Sequence, residues 1–168
     1  MGQATLDAQN AATASINITG TGTLTVGGNI RYTDSALGSE SNTITLNGGT
    51  LDMDGGTIGG DGTGTNDGTI TFNAQSGTLK NLAELNGGGV FVGATLTKTT
   101  AGLLTIEGTN TYTGGTAIND GILRVNSTGG NSLGTTGTIS FGGGTLQHTA
   151  NDTTDYSGRF STAGSQAV

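Results

Sequence analysis

The chain has 168 residues and a net charge of −7 at pH 7, and it contains 34 glycines but no proline, cysteine or tryptophan. Only 10% of its residues are charged and 31% are hydrophobic, which excludes charge-rich disorder, while the lack of proline excludes collagen. Five basic residues against twelve acidic ones argue against nucleic acid as a partner, and no apolar stretch is long enough for membrane insertion. A polar, turn-rich β architecture remains.

The first predicted element, residues 1–13, shows no regular pattern and is expected to form a partial coil or a cap. It has no basic region followed by an apolar run, so we recognise no signal peptide in it. Nothing near Val168 marks the end of a fold. We therefore interpret residues 1–168 as a single β-solenoid segment, a slice of a longer repetitive protein.

A repeated unit follows, made of a small or polar residue, Thr, an apolar residue, Ser or Thr, a glycine-rich turn and a second apolar strand. Its copies begin at Gly22, Asn42, Gly68, Ala94, Gly115 and Gly137. These starts are 20 to 26 residues apart, a spacing typical of solenoids. Apolar runs this short, bounded by glycine and asparagine, indicate strands rather than helices. The sequence therefore predicts an all-β fold, a single-stranded right-handed parallel β-helix with coils of about 20–26 residues.

Side chains alternate between the two faces of a strand, so each copy has an inner and an outer set. The residues predicted to stack inside the coils are Leu24, Ile44, Ile70 and Ile139. The predicted outer-face ladder consists of Thr23, Thr25, Thr43, Thr45, Thr69, Thr71, Thr95, Thr97, Thr138 and Ser140. In the copy at Gly115, Thr116 takes the position of Thr23, but the next apolar position is shifted by one residue. For that copy we predict the spacing of the repeat but not which of its residues face inward.

The stretch from Gly93 to Val125 carries five short motifs. They are Leu96-Thr97-Lys98-Thr99, Gly102-Leu103-Leu104-Thr105-Ile106, Asn110-Thr111-Tyr112-Thr113-Gly114-Gly115-Thr116, Ile118-Asn119 and Gly121-Ile122-Leu123-Arg124-Val125. Through these motifs the chain resembles the autotransporter-associated β-strand repeat, also called the passenger-associated transport repeat, best over residues 94–125. The resemblance implies a segment of a parallel β-helical passenger of the adhesin or stalk type. It also implies an extracellular or bacterial cell-surface localisation.

Candidate chemistry is sparse. Asp52 and Asp54 lie two residues apart, so both are expected on one strand face, where such a pair could act as acid and base or bind a cation. A solvated outer face is the simpler expectation for them. Gly59–Asp67 is similar to a calcium-binding glycine-rich nonapeptide but lacks its repeated spacing. Any Ser/His/Asp catalysis would need the only histidine, His148. We predict no catalytic, cofactor-binding or metal site and no cofactor.

Three functions are compatible with these patterns. The first is a non-catalytic structural or interaction segment of a surface-displayed passenger, which assembles end to end. The alternatives are an ice-binding β-solenoid that uses the Thr-x-Thr ladder and a polysaccharide-degrading β-helix enzyme. The expected partners are neighbouring coils of the parent chain or copies of this chain at open solenoid ends, and a host-surface or matrix glycan or protein.

Overall fold

The computed structural model describes residues 4–6, 13–32, 41–59, 69–87 and 93–164. Within these ranges the chain forms thirteen strands and no α-helix, and a 3₁₀ turn lies at Ser157–Arg159. The strands are β1 (Ala4–Leu6), β2 (Thr13–Thr25), β3 (Ile30–Tyr32), β4 (Ser41–Asp52), β5 (Thr57–Ile58), β6 (Ile70–Lys80), β7 (Glu84–Leu85), β8 (Leu96–Lys98), β9 (Leu103–Glu107), β10 (Thr116–Ile118), β11 (Ile122–Val125), β12 (Ile139–Phe141) and β13 (Thr145–His148). Most turns between them contain glycine or asparagine with positive φ.

The paired strands are parallel and form two sheets. The four-stranded sheet, in the order β1-β3-β5-β7, is called the third face here. The nine-stranded sheet bends at a corner. The long strands β2, β4 and β6 continue through this corner, whereas each later coil has one short strand before the corner and another after it. The side with β8, β10 and β12 is the first face, and the side with β9, β11 and β13 is the second face. Stacked parallel coils confirm the predicted all-β solenoid.

Coil length exceeds the predicted range of 20–26 residues in the early coils and is 19 to 23 residues in the later ones. Thr45 and Asn73, which are neighbours in β4 and β6, lie 28 residues apart. Further along, the side chain of Asn126 bonds to Glu107, 19 residues before it. The early coils are longer because each includes a strand of the third face, and β7 is the last such strand in the described residues.

The copy at Gly22 is out of register with the others. Thr23 pairs with Thr50 and not with Thr43. The first-face strand of that coil is an earlier part of β2, in which Ser15 pairs with Thr43. The predicted alignment was wrong because Gly-Thr-apolar sequences occur in strands of both faces, and the sequence alone does not distinguish them.

Two further copies are shifted by different amounts. Thr71, and not Thr69, pairs with Thr43, a shift of two residues that keeps the same side chains inside. Thr116 pairs with Leu96 and is buried, a shift of one residue that turns this side chain inward. Because side chains alternate, only an odd shift exchanges the inner and outer sets.

Inward side chains of successive coils form the core. Ile44, Ile70 and Ile139 are buried as predicted, but Leu24 is 37% exposed. Leu24 stacks on the fully buried Leu51, yet in the described residues β2 pairs only with β4, so nothing described covers its other side. Full burial of one such side chain contributes about 1.5–3 kcal/mol, so the closed part of the stack carries most of the stabilisation.

Some predictions fall on residues outside those described. Of residues 1–13, only Ala4–Leu6 and the backbone of Thr13 are described, and Ala4–Leu6 pairs with β3 as one strand of a coil. The calcium-loop candidate Gly59–Asp67 lies outside them except for Gly59. Calcium binding by that loop and the single-segment interpretation of residues 1–168 stay predictions.

Candidate functional site

The residues of the predicted outer-face ladder are divided between two faces. Those on the first face are Thr43, Thr45, Thr71, Thr97 and Ser140, and those on the second face are Thr23 and Thr25. Thr69, Thr95 and Thr138 are exposed and each precede a first-face strand by one residue. On the first face Thr43 pairs with Thr71, but Thr45 pairs with Asn73 and Thr97 with Ala117, so the predicted threonine ladder is interrupted there.

An outward threonine row is found on the second face instead. It consists of Thr23, Thr50, Thr78 and Thr105 in consecutive coils. The neighbouring outward row holds Thr25, Asp52, Lys80 and Glu107, in which Lys80 Nζ lies 3.9 Å from Asp52 Oδ2. One threonine row beside a charged row can donate and accept hydrogen bonds and pair with either charge.

The two aspartates singled out in the sequence do not share a strand face. β4 ends at Asp52, and Asp54 lies in the following turn with a φ of 47°. The Asp52 carboxylate accepts hydrogen bonds from the Asn81 side chain at 2.7 Å and from the Asp54 backbone N–H at 3.1 Å. The expected face-sharing pair was wrong because the strand ends between the two residues, and Asp52 holds the turn.

His148 is exposed on β13, and its ring centroid lies 5.6 Å from that of Tyr156. The Tyr156 hydroxyl donates to the Asp152 carboxylate at 3.1 Å, and the Ser132 hydroxyl donates to the same carboxylate. Ser132 is fully buried, so a substrate cannot reach its hydroxyl. The sequence did not predict this cluster, because Ser132 and Asp152 are 20 residues apart and both lie in irregular segments.

Hydrogen bonding and burial shift the pKa values of Asp152 and Tyr156 in opposite directions. Burial raises the pKa of the Asp152 carboxyl, but hydrogen bonds from Ser132, Thr154 and Tyr156 lower it more, so its pKa lies below the ordinary value of 3.8. Burial raises the pKa of the Tyr156 phenol. At neutral pH the carboxylate therefore accepts and the phenol donates, which is the pattern of a structural network.

Two large polar side chains are fully buried in the stretch 94–125. Burial raises the pKa of Tyr112, whose hydroxyl lies 3.0 Å from that of Thr116. Burial lowers the pKa of Lys98, although the charge of Asp120 opposes this, and its ammonium donates to the carbonyl and the hydroxyl of Thr100. Both side chains are satisfied within the core, so they organise the coil and are not exposed to a ligand.

The described residues offer few other candidate sites. They contain no group of three or more histidine, aspartate or glutamate side chains placed to hold a metal ion. None of their helical segments has the length and apolar character needed to cross a membrane. Their exposed large apolar side chains, Leu24, Ile122 and Phe160, belong to different coils. The second face is the best candidate interface.

Comparisons with known proteins match part of this chain. The family model described as Passenger-associated-transport-repeat matches residues 96–125, which form β8 to β11, and confirms the resemblance. The adhesin BmaC autotransporter of Brucella suis biovar 1 (strain 1330) is 52% identical over 61 residues. The match covers 36% of this chain and 2% of that protein, so the chain corresponds to a small part of that relative. No solved structure matches the chain.

Proposed function

We propose that this chain is a structural segment of a secreted, surface-displayed passenger of the adhesin type. The observation that carries the proposal is the position of residues 96–125, because the stretch that matches the passenger repeat forms β8 to β11 within a continuous parallel stack. The identity to an autotransporter adhesin over 61 residues supports the same role. In a solenoid each coil supports the next and leaves its flanks free for contact.

Within this role, we assign partner binding to the second face. Its outward rows combine the hydroxyl groups of Thr50 and Thr78 with the charges of Asp52 and Lys80. A hydroxyl-rich glycan or a polar protein surface of the host or its matrix matches such a mixture of donors and acceptors. Backbone pairing on a parallel sheet holds these side chains in fixed rows.

Catalysis and ice binding receive less support from the same surface. Asp52 is engaged with Asn81, and the Ser132 hydroxyl is buried against Asp152. On the second face the Thr-x-Thr pair that an ice-binding surface repeats occurs only as Thr23 and Thr25 in the described coils. We therefore propose a non-catalytic segment.

Export and display can be tested by placing residues 1–168 in the passenger of an autotransporter that keeps its own signal peptide and translocator. We expect an epitope tag at the N-terminus of the segment to be reached by antibody and by external protease on intact cells. Leu79→Asp should reduce display, because it buries an unpaired charge in the core column. Thr78→Asp is the matched control, since Thr78 is its outward neighbour in β6.

Retention of the parent segment inside the cell would contradict the proposal, as would equal display of the Leu79→Asp variant. The non-catalytic assignment has its own measurement. Incubation with pectins, alginates and other acidic glycans should release no new reducing ends or unsaturated products. Turnover that disappears in Asp52→Asn would replace the structural role by an enzymatic one.

A further inference from the structure

The coil architecture changes at one place in the chain. Up to β6, a single strand of 11 to 13 residues runs through the corner between the first and second faces. From β8 onward the same corner separates two short strands. The third face changes there too, because β7 is its last strand in the described residues. Both changes fall at the start of the stretch 96–125 that matches the passenger repeat.

Side chains close the end of the third sheet. A sheet that stops leaves unpaired backbone groups on its last strand, here Glu84 and Leu85. The Glu84 carboxylate accepts the Leu85 N–H at 3.1 Å and, from the next coil, the Thr113 N–H at 3.1 Å and the Thr113 hydroxyl at 2.7 Å. The Thr113 hydroxyl oxygen accepts the Gly93 N–H at 3.1 Å. The Leu85 carbonyl accepts the Ala94 N–H at 2.7 Å, so this backbone bond and the charge-assisted hydrogen bonds of the Glu84 carboxylate together take the place of a further strand.

Asn110 and Thr111 close the residues just before β7 in the same way. Asn110 Oδ1 accepts the Leu82 N–H at 2.8 Å, and Asn110 Nδ2 donates to the Glu107 carbonyl at 3.0 Å. The Thr111 N–H donates to the Leu82 carbonyl at 3.0 Å, and its hydroxyl donates to the Ala83 carbonyl at 3.1 Å. Asn110 is fully buried, so its bonds form away from water, where an unpaired polar group costs most.

Lys98 holds the new corner between the first and second faces. It lies in a core column between Ala74 and Ile118, and its ammonium donates to the carbonyl of Thr100 and, at 3.1 Å, to its hydroxyl. The Thr100 hydroxyl donates to the Gln75 carbonyl of β6 at 2.8 Å. The corner that separates β8 from β9 is thereby tied to the last continuous strand.

We propose that residues 96–113, together with Glu84, form an adapter that joins coils of two sizes and couples them into one folding unit. Before the adapter, paired residues such as Thr45 and Asn73 are 28 apart; from Glu107 within the adapter to its bonded neighbour Asn126 in the next coil, the separation is 19 residues. Glu84 and the polar side chains of the repeat end the third sheet by giving hydrogen-bond partners to the backbone N–H groups of Leu82, Leu85 and Thr113. This role depends only on contacts within the stack, so it does not depend on display or on any partner.

Amide hydrogen exchange on the whole chain tests the joint at Glu84. In Glu84→Gln we expect the amides of Leu85 and Thr113 to exchange about tenfold faster, because the negative charge that strengthens both hydrogen bonds is lost and one of the two acceptor oxygens becomes a donor. Glu107→Gln is the matched control, since its carboxylate accepts the Asn126 side chain, and it should leave those two amides unchanged. Unchanged exchange at Leu85 and Thr113 in Glu84→Gln overturns the proposal.

Coupling between the two coil sizes is tested by removing both ties. In the double variant Glu84→Gln with Lys98→Met, we expect exchange to separate into two blocks, residues 13–85 and 93–161, each with its own opening free energy. The parent chain and the Lys80→Met control should exchange as one block. A double variant that still exchanges as one block overturns the adapter.

If the double variant does not fold, the single variant Thr113→Val still tests the adapter. Thr113→Val removes the hydroxyl that accepts the Gly93 N–H and donates to Glu84. We expect the Gly93 amide to exchange about tenfold faster in this variant, with the first coils unaffected. Unchanged protection at Gly93, or equal acceleration in every coil, overturns the proposal.

Discussion

The buried carboxylates among the described residues are held by several neutral donors. The Asp152 carboxylate receives the hydroxyls of Ser132 and Tyr156 and the backbone N–H of Thr154. Each donor lowers the pKa of the carboxyl against the opposing effect of burial. The Ser132 and Tyr156 hydroxyls donate to the same carboxylate oxygen, so replacing that oxygen by an amide NH2 would leave two buried donors without their acceptor, and an unpaired buried donor costs free energy.

Asp152→Asn is therefore expected to lower the free energy of unfolding at pH 7 by about 1–3 kcal/mol. The folded-state pKa of Asp152 lies below 3.8, so the unfolded chain takes up the proton first as the pH falls. The stabilisation by Asp152 is present above about pH 4 and is lost as the pH falls through the folded-state pKa. Urea unfolding at pH 7 and pH 3 should show a weaker acid dependence in the variant.

Asp155→Asn is the matched control for this experiment, because the Asp155 carboxylate is exposed and accepts one backbone N–H from Ser157 at 2.9 Å. We expect a smaller loss of stability from this change at pH 7. An Asp152→Asn variant as stable as the parent at pH 7 would show that the buried network does not contribute to folding.

For the strands, the sequence predicts which side chains are inside better than it predicts which strands are neighbours. Alternation places Ile44 and Ile70 correctly, because a two-residue shift leaves the inner set unchanged. Neighbour pairing depends on the number of residues in each turn and on the third face. The identical Gly-Thr-apolar sequences around Thr23 and Thr50 indicate neither the length of the neighbouring turns nor the presence of a third-face strand.

Contacts between coils were beyond sequence reasoning for a related reason. Glu84 and Thr113 are 29 residues apart, and neither belongs to a recurring pattern with the other. The resemblance over residues 94–125 marks Asn110 and Thr113 as motif residues but does not indicate the groups that they contact. Only the coil lengths bring Glu84 beside Thr113.

A core column through the second face gives a direct test of stacking. Leu24, Leu51 and Leu79 follow each other in one column, and Leu79 is fully buried while Leu24 is 37% exposed. Leu79→Ala should lower the free energy of unfolding by about 2–5 kcal/mol, because it leaves a cavity between two neighbours. Leu24→Ala should cost clearly less, since the column is open on its other side. If urea unfolding showed the same loss of unfolding free energy for Leu24→Ala as for Leu79→Ala, this would contradict the finding that β2 pairs only with β4.

Considered as a whole, the molecule has apolar side chains at both ends of the described stack. β2 has 13 residues without a charged side chain, and in the described residues it pairs only with β4. Phe160, which pairs with Ile139 at the other end, is 39% exposed. An uncharged strand edge can template pairing with another chain.

We therefore expect the isolated chain to associate end to end as its concentration rises. The contact joins different ends of two molecules, so it does not close on itself and can extend into a filament. Light scattering and electron microscopy across concentration measure this, and Leu24→Lys should weaken it by placing a charge at the edge. A parent chain that stays monomeric at high concentration would indicate a cap at one end.

The change in coil size also sets how far a given number of residues extends. Every coil advances the stack by the spacing of neighbouring strands, about 4.8 Å, regardless of how many residues it contains. Coils in the early part use 28 residues for this advance, as between Thr45 and Asn73, and later coils use 19 to 23. The narrow section is therefore about 20–50% longer per residue than the wide one. For a passenger that carries a contact surface away from the cell, the narrow coils give more reach for each residue synthesised and exported.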